Sequence, residues 1–273
     1  MQQTKFSSDP DLLLAYEVAL AAGKSLLERP AVLDLDAKST PTDIVTQMDK
    51  SAEALIVEAL VNARPNDGLL GEEGAQRDAA SGRTWIIDPI DGTINYLYEL
   101  PFWCVSIGLH TSDGQGLVGV VHAPALDTTW LAAKNQGAWI IERGHHRPIQ
   151  VSDQSDLAMS LMGTGFGYSS ARRTSQARVL NSILPNVRDI RRLGSCALDL
   201  CLVAQGVLDG YYERGVHAWD HAAGSVIARE AGALIGGLRG QGEGNEMLVA
   251  TNPYIYDELI ALLELAQADQ DEI

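Results

Sequence analysis

Positive charge is scarce in this chain. Against 36 aspartates and glutamates stand only 20 lysines and arginines, a formal net charge of −16 over 273 residues. No basic run offsets this: Arg172-Arg173 and Arg191-Arg192 are only pairs. That argues against a nucleic-acid partner, whose phosphates need clustered cations. Cysteine is scarcer still. Cys104, Cys196 and Cys201 lie in apolar stretches with neither a disulfide framework nor zinc spacing, which fits buried free thiols in a reducing compartment. No run reaches the ~18 apolar residues of a membrane helix, and the polar N-terminus lacks the pattern of a signal peptide. No membrane partner and a cytoplasmic setting are expected. Walker, Gly-x-Ser-x-Gly and Cys-x5-Arg strings are missing as well, so covalent catalysis through Ser or Cys has no support.

What is present is a globular composition, 46% hydrophobic and 21% charged, in a chain long enough for one large unit or two fused lobes. Helical periodicity predicts helices over 9–28 and 49–61, the second with Ala52, Leu55, Ile56, Ala59 and Leu60 inward. Residues 33–46 and 66–82 read as loops. Strands are expected over 102–110, 116–122, 128–133 and 137–141, an antiparallel meander broken by Asp-Gly, Pro and Asn-Gln-Gly turns. Beyond it strands (160–164, 190–193, 210–213) alternate with helices (174–184, 195–206, 220–231), and a last helix spans 253–267. The expectation is helices layered against sheets, with an N-terminal lobe over 1–145 and a C-terminal lobe over 146–273 completing one catalytic unit.

The chemistry concentrates in Trp85-Ile86-Ile87-Asp88-Pro89-Ile90-Asp91-Gly92-Thr93-Ile94-Asn95-Tyr96. An apolar strand ends in two carboxylates that a turn could aim at one hard cation. A helix starting near Gly92 and Thr93 would offer its free N–H groups to an anion. The same string is also an ordinary Asp-Pro-Gly turn, so it decides nothing alone. Glu72, between glycines in Gly71-Glu72-Glu73-Gly74, is either a solvated loop acid or a third carboxylate for that cation. Asp220, after Val216-His217-Ala218-Trp219, is either a helix N-cap or a further ligand. His217 reads as a packing histidine. Together Glu72, Asp88, Asp91 and Asp220 would suffice for paired Mg2+ ions, which keep water and take few carboxylates each.

Four blocks in order resemble the inositol monophosphatase family of Mg2+-dependent, lithium-sensitive sugar phosphatases. They are Asp43-Ile44-Val45-Thr46-Gln47-Met48-Asp49, Gly71-Glu72-Glu73, Asp88 to Tyr96, and Trp219-Asp220-His221-Ala222-Ala223-Gly224. The segment 163–168 followed by Arg172-Arg173 resembles bacterial members. The resemblance implies an α/β fold, a five-layer αβαβα sandwich, and a homodimer. It implies first-metal ligands at Glu72, Asp88 and the Ile90 carbonyl, and second-metal ligands at Asp88, Asp91 and Asp220. Thr93 with Glu72 would orient the attacking water, with Asp49 and Thr46 behind them and Lys38 on a nearby loop. Gly92 and Thr93 amides would hold phosphate, and Gly194, Ser195, Cys196, Glu213 and Asp220 would meet the polyol.

Two or three Mg2+ ions are implied, with Mn2+ as a possible substitute and Ca2+ and Li+ as inhibitors. Ile94 and Cys196 depart from the residues common at their positions. The implied activity is hydrolysis of myo-inositol monophosphate, a small phosphorylated polyol. Related substrates are fructose-1,6-bisphosphate, histidinol phosphate or 3'-phosphoadenosine 5'-phosphate. A scarcity of Lys and Arg near the motifs weighs against bisphosphates. The non-enzyme alternative is a regulatory, RNA-polymerase-associated member.

Overall fold

The computed structural model describes residues 9–38, 40 and 43–270, and its helices and strands are formed by these residues. Helix α1 (Pro10–Leu27) starts where Asp9 Oδ1 accepts from the amides of Asp11 and Leu12, both at 3.0 Å, with proline in the first turn. A short hairpin, β1 (Leu35–Ala37) with β2 (Ile44–Thr46), precedes α2 (Gln47–Ala63). Then come β3 (Gly68–Gly71), β4 (Gln76–Arg77), β5 (Arg83–Asp91) and the single-turn α3 (Thr93–Leu97). The meander follows as β6 (Cys104–Thr111), β7 (Gly116–Ala123), β8 (Thr128–Ala133), β9 (Ala138–Glu142) and β10 (His145–Ile149). The remainder alternates: β11 (Leu161–Thr164), α4 (Ser170–Ile183), β12 (Asp189–Arg191), α5 (Cys196–Ala204), β13 (Gly210–Glu213), α6 (Ala218–Glu230), β14 (Leu234–Gly236), β15 (Leu248–Thr251) and α7 (Tyr256–Leu265).

Eight strands form one sheet in the order β10-β9-β8-β7-β6-β5-β3-β4, antiparallel except where β3 lies parallel to β5. Five form a second sheet, β12-β11-β13-β15-β14, in which β11 runs parallel to both its neighbours. Helices α1 and α2 cover one face of the larger sheet around Leu12, Ile56, Trp85 and Ile107. Helices α5 and α6 fill the space between the sheets, and α4 and α7 cover the outer face of the smaller one. The layers are therefore α, β, α, β, α, as expected. Burial on both faces explains why β6, β7 and β8 read as nearly continuous apolar runs. Small residues set how close the middle layer comes: a Cβ at Gly119 would overlap the carbonyl of Ala223, so α6 rests directly on β6 and β7.

Four expectations need correcting. The 33–46 stretch is not all loop but contains β1 and β2, and 66–82 contains β3 and β4. β3 has four residues, too few to show a period, and is buried because it sits between β4 and β5. β10, β14 and β15 went unread, two of them flanking the glycine-rich 236–244 segment. Helix α6 starts at Ala218 rather than at Asp220.

Candidate active site

Strand β5 carries the two central aspartates, and a β-bulge decides where they point. Asp88 pairs with Ser106 and Asp91 with Cys104, so three steps on β5 match two on β6. Strict alternation would send residues i and i+3 to opposite faces; the extra residue brings both carboxylates to one side. Pro89 sits in the bulge, where its missing N–H costs no ladder bond. Asp88 Oδ1 accepts from the Ile90 amide at 2.9 Å, fixing the kink. The motif is thus a bulge inside a strand rather than a turn after one. Gly92 follows at φ +96° and caps α3; a Cβ there would lie 2.9 Å from the Phe102 carbonyl oxygen. Asn95 ties this turn to the 193–194 segment, its Nδ2 donating to Phe102 O at 2.6 Å and Leu193 O at 2.8 Å.

Behind the bulge lies a buried hydrogen-bonded chain. Thr93 Oγ1 is 3.0 Å from Ile90 O and 3.1 Å from Asp49 Oδ1. Asp49 Oδ2 accepts from the Thr46 amide at 2.8 Å and the Thr46 hydroxyl at 2.6 Å, a capping box at the start of α2. Burial raises the Asp49 pKa, partly offset by these Thr46 bonds. Asp49 does not reach the cavity; it holds Thr93, which does.

Glu72 follows β3, its amide bonded to Ile87 O at 3.2 Å, which sets it beside the end of β5. Lys38 Nζ lies 2.8 Å from Glu72 Oε1 and 2.5 Å from Glu73 Oε1. Burial lowers the lysine's pKa, but the two glutamates outweigh that and raise it. Glu73 is pushed up to about 7, chiefly by burial and against the pull of Lys38. Glu53 props the loop from beneath, accepting from the amides of Glu73 and Ala75 at 2.9 Å.

The far wall comes from the second sheet and the middle helices. Asp91 Oδ2 accepts from Ser195 Oγ at 2.7 Å and the Ala197 amide at 2.6 Å, in the first turn of α5. Burial still pushes Asp91 up to about 7. Ser195, expected at the polyol, is only 2% exposed and faces Asp91 and the amide of Leu198 instead of the cavity. Asp220 is not the N-cap of α6 but its third residue; Oδ2 accepts from the amide of the cap, His217, at 2.6 Å. The His217 ring is stacked 4.9 Å from Trp219. Glu213 ends β13, and the Tyr211 hydroxyl donates to its Oε2. Cys104, Cys196 and Cys201 are buried and free, as expected.

Glu72, Asp88, Ile90, Asp91, Gly92, Thr93, Gly194, Cys196, Glu213 and Asp220 all line one cavity of about 530 Å³. Burial first, then mutual repulsion with Glu72, Asp91 and Asp220, drives the Asp88 pKa well upward; burial and Asp91 do the same to Asp220. Such a wall of hard oxygen donors favours positive charge. Among the described residues no three acidic, His or Cys side chains form a closed cage. A hydrated Mg2+ held through few carboxylates needs none, and Asp88, Asp91 and Asp220 each spend one oxygen on a backbone amide. The donor set therefore fits Mg2+.

Sequence reading missed several neighbours. Arg172, Arg192 and Arg214 share the cavity with Lys38, although the motifs assign none of the three arginines a role in a site. The Arg192 guanidinium lies 6.0 Å from the Phe166 ring centre. Glu53 could have been noticed, since it falls four residues after Asp49 on the apolar face of α2.

The sequence model of the inositol monophosphatase family matches residues 8–268. An inositol-1-monophosphatase, SuhB, of Mycobacterium tuberculosis is 46% identical over 236 residues, 84% of this chain and 80% of that protein. A Nus factor SuhB of Pasteurella multocida is 37% identical over 271 residues, 96% of this chain and 98% of that one. The solved structure of Mycobacterium tuberculosis SuhB superposes with a TM-score of 0.81 at 38% identity, covering 96% of this chain and 99% of that one. A family match over nearly the whole length, with relatives of this identity, makes the chain a member of the inositol monophosphatase family.

Proposed function

We propose that this chain is a Mg2+-dependent phosphomonoesterase that hydrolyses myo-inositol monophosphate to inositol and phosphate. The observation that carries the reading is the single cavity in which Glu72, Asp88, Asp91, Asp220 and the Ile90 carbonyl meet beside the Gly92–Thr93 turn. Glu72, Asp88 and Ile90 O would hold one ion, and Asp88, Asp91 and Asp220 a second. When bound, such ions neutralise phosphoryl oxygens and acidify water.

The chain's own residues do the rest. Thr93, held by Asp49, and Glu72 orient the attacking water and receive its proton. The Gly92 and Thr93 amides steady the phosphate, while Glu213, Cys196 and Gly194 border the alcohol. A water oxygen bonds to phosphorus as the bond to the polyol oxygen breaks, and the alcohol leaves with a proton. A homodimer and a cytoplasmic setting belong to the same reading; no described helix is long and apolar enough to cross a membrane.

One observation favours a second substrate class. The scarcity of cations near the motifs is a statement about sequence distance, and in three dimensions Lys38, Arg172, Arg192 and Arg214 ring the same cavity. A second phosphate would find partners there, as in fructose-1,6-bisphosphate. The test is phosphate release across inositol, fructose, histidinol and nucleotide phosphates, with Mg2+, with EDTA and with Li+. Inositol monophosphate should turn over with Mg2+, stop in EDTA and slow in millimolar Li+. Full activity in EDTA would refute the metal; faster bisphosphate turnover would favour the second class. No release from any ester would favour a role like that denoted by the Pasteurella relative's name.

A further inference from the structure

Two buried acids stand one turn apart on the same face of α2, and each holds a different part of the cavity wall from behind. Asp49 holds Thr93 through Oδ1 at 3.1 Å. Glu53, four residues on and 6% exposed, does not line the cavity and turns instead to the loop that carries Glu72. Its Oε2 accepts from the Glu73 amide and its Oε1 from the Ala75 amide, both at 2.9 Å. The carboxylate rests against Gly71, where a Cβ would fall 2.2 Å from Oε2 and 2.7 Å from Cδ. Gly71 ends β3 with a φ that any residue could adopt, so the carboxylate, not the backbone, is what requires glycine there.

Burying a carboxylate costs more desolvation than burying a neutral side chain. A glutamine would not replace it, because glutamine has one acceptor oxygen and would turn its own N–H groups to the second amide. Only a carboxylate satisfies both amides at once. These two bonds fix the chain just after Glu72, while the Glu72 amide itself is fixed by Ile87 O at 3.2 Å. Glu72 is therefore pinned between α2 and the strand that carries Asp88. Because Asp49 holds Thr93 from the same helix, α2 is the common support of the two groups that would orient the attacking water.

We propose that Glu53 is a positioning residue: by holding the 71–75 loop on α2, it sets Glu72 for the Mg2+ that Glu72, Asp88 and the Ile90 carbonyl would share. Groups behind a ligand commonly change metal affinity by about 10- to 100-fold when removed. This rests on the metal-dependent phosphatase reading of the same cavity.

The test measures Mg2+ binding by calorimetry without substrate, alongside turnover of myo-inositol 1-phosphate. The Mg2+ dissociation constant should rise about tenfold or more in Glu53→Gln. Gly71→Ala keeps the charge but displaces the carboxylate, so it should weaken Mg2+ to a similar extent; this separates positioning from the loss of a negative charge. Gly71→Ala combined with Glu53→Ala should bind Mg2+ no more weakly than Glu53→Ala alone, because the added methyl then has nothing to displace. At saturating Mg2+, KM should stay within about twofold of wild type, since Glu53 bonds to nothing at the Gly92–Thr93 turn. A Mg2+ constant within about twofold of wild type in both single variants, even with a lowered melting temperature, would overturn the assignment. So would normal Mg2+ binding in Gly71→Ala beside weak binding in Glu53→Gln, which lost charge alone explains. If Glu53→Gln does not fold, Gly71→Ala carries the same expectation. A wild type that neither binds Mg2+ nor releases phosphate refutes the phosphatase reading and this inference with it. A wild type that does both, with indifferent variants, refutes the inference alone.

Discussion

The two ends of β5 bury aspartates in opposite ways. At the start of the strand, Asp67 accepts from Trp85 Nε1 at 3.0 Å, Ser81 Oγ at 2.7 Å and Arg83 Nη2 at 3.1 Å. Arg83 also reaches Asp11 at 2.8 Å, and Arg64 closes the cluster on Asp11 at 2.7 Å. Every acid there has its cation. At the other end of the strand, Asp88 and Asp91 crowd against Asp220 and Glu72, and among the described residues no Lys or Arg pairs with Asp88, Asp91 or Asp220. Neutralised acids hold the fold together; like charges gathered without a cation work against it. The difference separates carboxylates kept for structure from carboxylates kept for chemistry, and it does so without reference to any relative.

The strongest way to break this contrast is Asp88→Asn. The amide can still accept from the Ile90 N–H and can donate toward Glu72, so the bulge survives while the charge is lost. Turnover should fall about a thousandfold or more, the scale at which preorganised electrostatic partners act. In EDTA the variant's melting temperature should equal or exceed that of wild type, since repulsion is relieved. Mg2+ should raise the wild-type melting temperature and barely move the variant's. Near-normal turnover, or a large loss of stability in EDTA, would erase the distinction between the two ends.

Asp67→Ala at the paired end should invert the pattern. Removing Asp67 strands the indole N–H of a fully buried Trp85 and the Ser81 hydroxyl, and leaves Arg83 with Asp11 alone. A loss of about 3–5 kcal/mol in unfolding free energy is expected by urea titration. The folded fraction should retain its kcat. A stability change below about 1 kcal/mol would mean the pairing is incidental.

How much of this was legible follows from locality. Helices α1 and α2 and the β6–β8 meander announce themselves because each carries its period or turn signals within a dozen residues. The site strings were legible for the same reason: Asp88, Asp91 and Thr93 fall within one short segment. The bulge that turns both aspartates to one face was not, because it is defined by the register of β6, which no local pattern records. The N-cap alternative for Asp220 arises because a cap and a third-residue acid in a capping box differ by only three positions. The resemblance alone places Ser195 at the polyol and carries no record of side-chain direction, whereas its hydroxyl turns inward to Asp91. Arg192 depends on β12, β13 and α5 converging on one cavity, a tertiary fact.

The mildest test uses an ionisable group that is neither paired with an opposite charge nor crowded by its own kind. His122 on β7 is 7% exposed, lies against Gly23 of α1, and shares a hydrogen bond of 2.8 Å with Thr129 Oγ1. Burial pulls its pKa down to about 4, against smaller opposing effects of Thr128 and Asp127. The folded pKa lies below the ordinary value of about 6.5, so the fold prefers the neutral ring. Its contribution is complete above about pH 6.5 and is lost progressively as the pH falls toward 4, where the unfolded chain binds the proton first. Between about pH 7 and 5 wild type should lose roughly 2 kcal/mol from this group. His122→Phe keeps a ring against Gly23 and removes the titration, so the acid limb of its stability curve should flatten by that amount. Because the residue is remote from the cavity, kcat and its Mg2+ dependence should stay at wild-type values, and an equally steep acid limb in the variant would assign the loss to other groups.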